Sequence, residues 1–192
     1  FYYGLKCKKW KMCYWLDLVS FFNSFLKPYQ ELVEVNYFSA RPTDAGKHDR
    51  QDKLFQANKC NPKFNLILGK YLKKEIKCSY CGGIIHSFEE KETDVRIATK
   101  ILSDAYKKRC DIAIIVSADS DLIPPVELIR EFNPSQKVYV YFPPNRYSSN
   151  LSNLSDGTRK LDGAFNIFKK HILPQKVQLP NGYVIERPNE WK

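Results

Sequence analysis

At 192 residues the chain is long enough for one well-packed domain and short for two. Its 31 Lys and Arg against 21 Asp and Glu leave a formal net charge of +10, which favours a polyanionic partner. Six scattered cysteines, no signal-peptide pattern and no apolar run long enough for a bilayer argue against a disulfide-stapled secreted scaffold and a membrane protein; a reducing, cytoplasmic setting is expected.

In chain order, residues 1–5 lead into a basic, aromatic stretch at 6–15, whose interleaved Lys and aromatic residues can contact phosphates and stack on bases. Aromatic packing with lysines reaching to solvent explains the same pattern. Residues 16–26 read as a helix ending ahead of Pro28. In residues 32–38, Val33, Val35 and Tyr37 alternate with polar neighbours, as in a strand, and Ser39, Ala40 and Arg41 then enter a polar loop. A basic amphipathic helix is expected over 48–59 and a strand over 64–68.

The next segment holds Cys78-Ser79-Tyr80-Cys81-Gly82-Gly83. A C-x-x-C followed by glycine supplies two tetrahedral zinc ligands, whereas a structural site needs four. Cys60 and His86 are the candidates for the others, at spacings that match no standard pattern. A redox role is disfavoured because no helix begins at the pair.

An acidic cluster, Glu89-Glu90-Lys91-Glu92-Thr93-Asp94, precedes the strongest helical pattern in the chain. There Val95, Ala98, Ile101, Leu102 and Ala105 recur at a helical period, while Arg96, Lys100, Lys107 and Lys108 lie mostly off that stripe. Residues 112–116 are an unbroken apolar run, the pattern of a strand buried on both faces of a parallel sheet. The run stops at Ser117-Ala118-Asp119-Ser120-Asp121, and an amphipathic helix over 122–132 follows with Pro124 and Pro125 in its first turn. Asp119 and Asp121 therefore crowd the carboxyl end of a central strand, where open α/β sheets bind ligands. Like charges so close are explained by a shared cation, and all-oxygen ligands suit Mg²⁺ or Mn²⁺. Asp94 starts the preceding helix and can point into the same crevice. Simpler explanations are that Asp121 caps its helix, Asp119 belongs to the turn and Asp94 complements a helix dipole.

Residues 137–142 form a further strand, and 148–157 a polar loop or short helix start. Asp156 and Asp162 are possible additional carboxylates for the crevice. A short helix over 165–173 and an extended tail from 174 to 192 complete the chain. The expected organisation is a domain over 1–173 with residues 174–192 packing on it as an extension.

The segments Glu90-Lys91-Glu92-Thr93-Asp94-Val95 and Val116-Ser117-Ala118-Asp119-Ser120-Asp121-Leu122-Ile123-Pro124 resemble the NYN domain, a branch of the PIN-like nucleases. The resemblance extends to Tyr37-Phe38-Ser39-Ala40-Arg41, Arg50-Gln51, Leu179-Pro180-Asn181-Gly182, Arg187-Pro188 and Trp191. It implies a PIN-like, Rossmann-like three-layer α/β/α sandwich with a central, mainly parallel sheet, and endoribonuclease chemistry with Mg²⁺ or Mn²⁺. Asp94, Asp119 and Asp121 match acidic positions of the family. Such domains open with a strand ending in Asp-Gly-x-Asn, ahead of the part resembled by residues 1–5; neither the strand nor its Asp is present. Either the sequence is truncated, as the missing initiator Met suggests, or the chain lacks one ligand and part of its sheet.

The function expected from these features is metal-dependent hydrolysis of RNA, with DNA as a further possible substrate. Asp94, Asp119 and Asp121 would hold the metal, and Arg41, Arg50 and Lys91, with Ser117 and Ser120, would position the backbone. Two rival readings keep the same fold: an RNA-binding or assembly module without turnover, and a phosphatase or nucleotide hydrolase.

Overall fold

The computed structural model describes residues 1–42 and 44–192, and side chains other than those of residues 71–73 and 85–90. In chain order it comprises α1 (Tyr2–Cys7), α2 (Leu18–Asn23), β1 (Val35–Ser39), α3 (Ala45–Asn58), β2 (Phe64–Leu68), β3 (Lys70–Lys77), β4 (Ile84–Lys91), α4 (Thr93–Tyr106), β5 (Ile112–Ile115), α5 (Ile123–Phe132), β6 (Lys137–Phe142), α6 (Ser149–Leu154), β7 (Gly157–Lys160), α7 (Phe165–Lys170), β8 (Lys176–Gln178) and β9 (Val184–Glu186). Short 3₁₀ turns cover Lys11–Tyr14, Ser120–Leu122 and Asn189–Trp191.

The layering follows from alternation along β6. Val138, Val140 and Phe142 project into one core with Leu122, Val126 and Ile129 at α5, Ala105 of α4 and Leu151 of α6. Tyr139 and Tyr141 face the other core, built from Leu5, Leu18, Phe21, Phe64 and Phe168. Helices thus cover both faces of parallel strands, the architecture expected of a mixed α/β chain.

The parallel strands come in two groups, β1–β2 and β5–β6–β7. Among the described residues no strand pairs with the remaining edge of β1 or of β5, and both line one groove of about 1760 Å³. Half-buried ionic contacts join the two groups at the start of these strands. Lys100 of α4 bridges Glu34 and Asp104 at 2.5 Å each, and Arg109 reaches Glu34 at 3.7 Å. These side chains tie the start of β1 to α4 and to the segment ahead of β5. Burial pushes the Glu34 carboxyl up, but hydrogen bonds from Asn36 and Lys100, with the charges of Lys100 and Arg109, leave it below its ordinary value.

Several elements differ from expectation. The helix expected over 16–26 is shorter, because Asp17 caps it by accepting from the Ser20 amide at 2.9 Å and Leu16 bridges to Ile172. The run at 112–116 is fully buried only at Ile115, since its neighbours face the groove. In the basic aromatic stretch Trp15 is buried and Trp10 packs on Phe165 and Phe168, so these rings serve the core rather than bases. The β3–β4 hairpin, β7 and the β8–β9 hairpin were not foreseen as strands. β7, β8 and β9 are short and mostly exposed, so little apolar alternation marks them.

Asp156 lies outside the crevice: it accepts from the Val138 amide at 2.9 Å and from Arg130 at 3.0 Å, near the beginning of β6. Burial raises its carboxyl, but that amide and the cations Arg130 and Lys137 bring it below its usual range. Asp162 accepts from the Asn145 amide at 2.9 Å and pairs with Lys8 at 3.1 Å.

One buried polar side chain joins α3 to the N-terminal helices. Asn58 accepts from the Leu18 amide at 2.9 Å and donates to the carbonyls of Leu16 and Leu54 at 3.0 Å. Asn58→Ala strands a buried amide and carbonyl and should lower stability by about 2–4 kcal/mol in urea unfolding. Acid should act through Glu34 and Asp156. Both are lowered on folding, so their contribution is full above the unfolded carboxyl values near pH ~4 and is lost as pH falls through the lower folded values. Unfolding measured against pH should show that loss, with a shallower acid limb in Asp156→Asn.

Candidate metal centre

Asp119 follows β5 and forms the turn that opens the Ser120–Leu122 segment. Its amide donates to Ser117 Oγ at 3.1 Å, and its own Oδ1 accepts from the Asp121 amide at 3.1 Å. Asp119 is thus the capping residue of this turn, as the simpler explanation held. Asp121 does not cap α5: Leu122 occupies that position without a side-chain bond, and two prolines lacking N–H groups begin the helix.

Asp94 reaches the same place by another route. Glu92 closes β4 in the left-handed region at φ 74°, which turns the chain sharply from strand into α4 and puts Asp94 in its first turn. The Glu92 carboxylate is gripped by Arg96 at 2.7 Å and by Lys70 at 3.4 Å. Gly69, at the end of β2, fits tightly against this corner. A Cβ there would meet Thr93 Oγ1 at 2.7 Å and the Lys91 carbonyl at 2.8 Å, so only glycine permits the approach. The Gly69 amide also donates to the Ser39 carbonyl at 2.8 Å, tying the corner to the end of β1.

Ligand oxygens of Asp94, Asp119 and Asp121 lie within 4.8 Å of one another, all three residues exposed. The donor set fits a hard divalent cation. It offers only carboxylate oxygens, and its exposure leaves room for the waters that Mg²⁺ retains. The expected basic residues are less tightly gathered. Arg50 and Ser117 line the groove between β1 and β5, together with Thr93, and Arg50 pairs with Glu190 at 2.8 Å. Arg41 is exposed just after β1 and reaches Asp52 at 3.6 Å. Lys91 and Ser120 are exposed next to the aspartates in sequence and are not part of the groove lining. A cavity of about 400 Å³ between α3 and the β8–β9 hairpin is lined by Asp49, Lys53, Leu179 and Ile185 and holds none of the three aspartates. Gly69 and Glu92 were missed in the sequence; a glycine directly after a strand was the available signal for a close backbone approach.

A model of the NYN domain matches residues 3–162. The chain belongs to the NYN domain family. Among solved structures, a protein of unknown function from Vibrio parahaemolyticus is similar over 85% of this chain and 86% of its own, with 20% identity and a TM-score of 0.54; that likeness concerns the fold. No curated protein matches the chain. As an NYN domain the chain is of nuclease type, PIN-like in its α/β fold, with an aspartate cluster able to bind a metal. No helix among the described residues is long and apolar enough to cross a membrane.

Gly69→Ala should push Thr93 outward and move Asp94 relative to the other two carboxylates. Titration with Mn²⁺ should show affinity weakened about tenfold, the scale for losing support behind a ligand. A circular dichroism spectrum should match that of the parent. Unaltered Mn²⁺ affinity would separate the corner from the metal centre.

Proposed function

We propose that this NYN domain is a metal-dependent endoribonuclease that hydrolyses RNA phosphodiester bonds. The reading rests on the convergence of Asp94, Asp119 and Asp121 in a chain of this family. Mg²⁺ or Mn²⁺ held by these carboxylates would supply a lowered pKa for an attacking water and neutralisation of charge on the attacked phosphate. The protein's own part is positional. Asp119 braces Asp121 through the amide it accepts, and α4 brings Asp94 opposite them. Arg41, Arg50 and Lys91 supply positive charge for the RNA backbone, and Ser117 and Ser120 supply hydroxyl groups beside the carboxylates. The net charge of +10 favours RNA and equally accommodates DNA. Six free thiols fit a reducing, cytoplasmic setting. Residues 174–192 are taken as an extension of the 1–173 domain, fastened where the Trp15 indole donates to the Pro174 carbonyl at 2.8 Å.

One observation favours a second reading. The parallel strands are divided at the groove between β1 and β5. A chain that binds RNA without turnover is compatible with this division. A phosphatase or nucleotide hydrolase has less support, since no feature of the site selects a small substrate.

Cleavage of a long RNA with Mg²⁺ or Mn²⁺, and binding measured in EDTA, separate these readings. Asp119→Asn should abolish cleavage while RNA affinity holds or rises, because one negative charge facing phosphate is gone. Arg41→Ala and Arg50→Ala should weaken binding across sequences and reduce the salt slope by up to about one for each phosphate that is no longer neutralised. Metal-dependent cleavage by the parent that survives Asp119→Asn would remove this residue from the mechanism. No cleavage by the parent at all would leave the binding module as the function.

A further inference from the structure

The β3–β4 hairpin stands apart from the sandwich. Its two eight-residue strands pair along their whole length, from Lys70 opposite Lys91 to Lys77 opposite Ile84, and pack chiefly on each other. At roughly 3.3 Å per residue the arm extends about 26 Å from the Gly69 corner. Its tip is the Cys78-Ser79-Tyr80-Cys81-Gly82-Gly83 turn.

Two backbone hydrogen bonds close that turn. The Cys78 amide donates to the Gly83 carbonyl at 2.8 Å, and the Gly82 amide donates to the Cys78 carbonyl at 2.9 Å. Gly82 closes the loop at φ 69°. Cys81 is exposed and Cys78 partly so, and neither is in a disulfide. Two thiols on one tight turn that ends in glycine can be offered to a single metal ion. Nothing in the core requires this arrangement, since the tip is exposed and Tyr80 is fully so.

We propose that the hairpin tip is half of a zinc site, completed by Cys78 and Cys81 of a second copy of this chain. Zinc in structural sites takes four ligands, and the tip offers two thiols. No third Cys, His, Asp or Glu joins them in a metal-sized group among the described residues. Cys60 lies elsewhere, beside Gln56 and Gln178, and the side chain of His86 lies outside those described. A second tip supplies the two missing thiols in identical geometry. The charges also favour pairing: Zn²⁺ with four thiolates carries a net 2−, and Lys77 of each arm, next to Cys78 in the chain, brings positive charge to it. Around the tip Ile76, Tyr80 and Ile84 are exposed, an apolar collar that two tips would cover together. Assembly takes one Zn²⁺ and two chains and releases the protons of the four thiols; no electrons move. It would set two NYN domains on one pair of arms, with the aspartate clusters uninvolved.

The test is metal analysis and light-scattering mass of the full chain, purified under reducing conditions. The expected result is one zinc for two chains in a dimer that a zinc chelator splits and added Zn²⁺ restores. Co²⁺ in its place should give the visible spectrum of a tetrathiolate. Cys78→Ser and Cys81→Ser should each give zinc-free monomers with unaltered circular dichroism, and Asp119→Asn and His86→Ala should retain both zinc and dimer. One zinc per monomeric chain, zinc lost in His86→Ala, zinc lost in Asp119→Asn, a dimer indifferent to chelation or a chain without zinc would each overturn the proposal.

Discussion

Three carboxylates within 4.8 Å of one another repel, and the surrounding architecture has to hold them against that repulsion. Unit charges about 4 Å apart interact by roughly 1 kcal/mol in water and roughly 4 kcal/mol at the effective dielectric of a protein surface. Two separate pieces of chain meet to impose the arrangement. One is the turn after β5, stiffened by Ser117 and by the Asp119 to Asp121 bond. The other is the start of α4, where Glu92 takes a left-handed backbone and Gly69 admits the corner. A divalent cation removes the repulsion, so the metal and the fold stabilise the same geometry.

The packing behind the cluster explains why it does not spread. Ile97, Ile101 and Leu102 of α4 lean on the core formed by Leu122, Val126 and Ile129, so the helix carrying Asp94 and the segment carrying Asp119 and Asp121 share one apolar face. At the other end of α4 the contacts among Lys100, Glu34, Asp104 and Arg109 fasten the helix to the beginnings of β1 and β5. The groove between β1 and β5 is lined by Thr93 and Ser117, close in the chain to the aspartates, and by Arg50.

The arm and the sandwich meet at the same corner. Gly69 ends β2 and leads directly into β3, while β4 returns through Lys91 and Glu92 into α4. Any pull on the β3–β4 arm is therefore delivered to the turn that positions Asp94. Zinc-linked arms and an aspartate cluster would be neighbours through backbone alone, across the ion pairs of Glu92 with Arg96 and Lys70.

Periodicity and local chemistry determined much of this protein. The apolar stripe of α4 announces its helix, the β-branched run ahead of Ser117 announces β5, and Cys78-x-x-Cys81-Gly announces a tight turn, because each pattern reflects interactions within a few residues. Asp119 and Asp121 were legible as a pair at a strand end for the same reason. Tertiary structure decided the rest. Asp94 joins that pair only because α4 packs beside α5, and Asp156, equally acidic in sequence, is drawn away to the Val138 amide and Arg130. The β3–β4 arm is not marked in the sequence, because its strands pair with each other at long range in the fold rather than through a local period. The separation of β1 from β5 was likewise invisible, since strand order is a relation between distant segments and leaves no mark on either one alone.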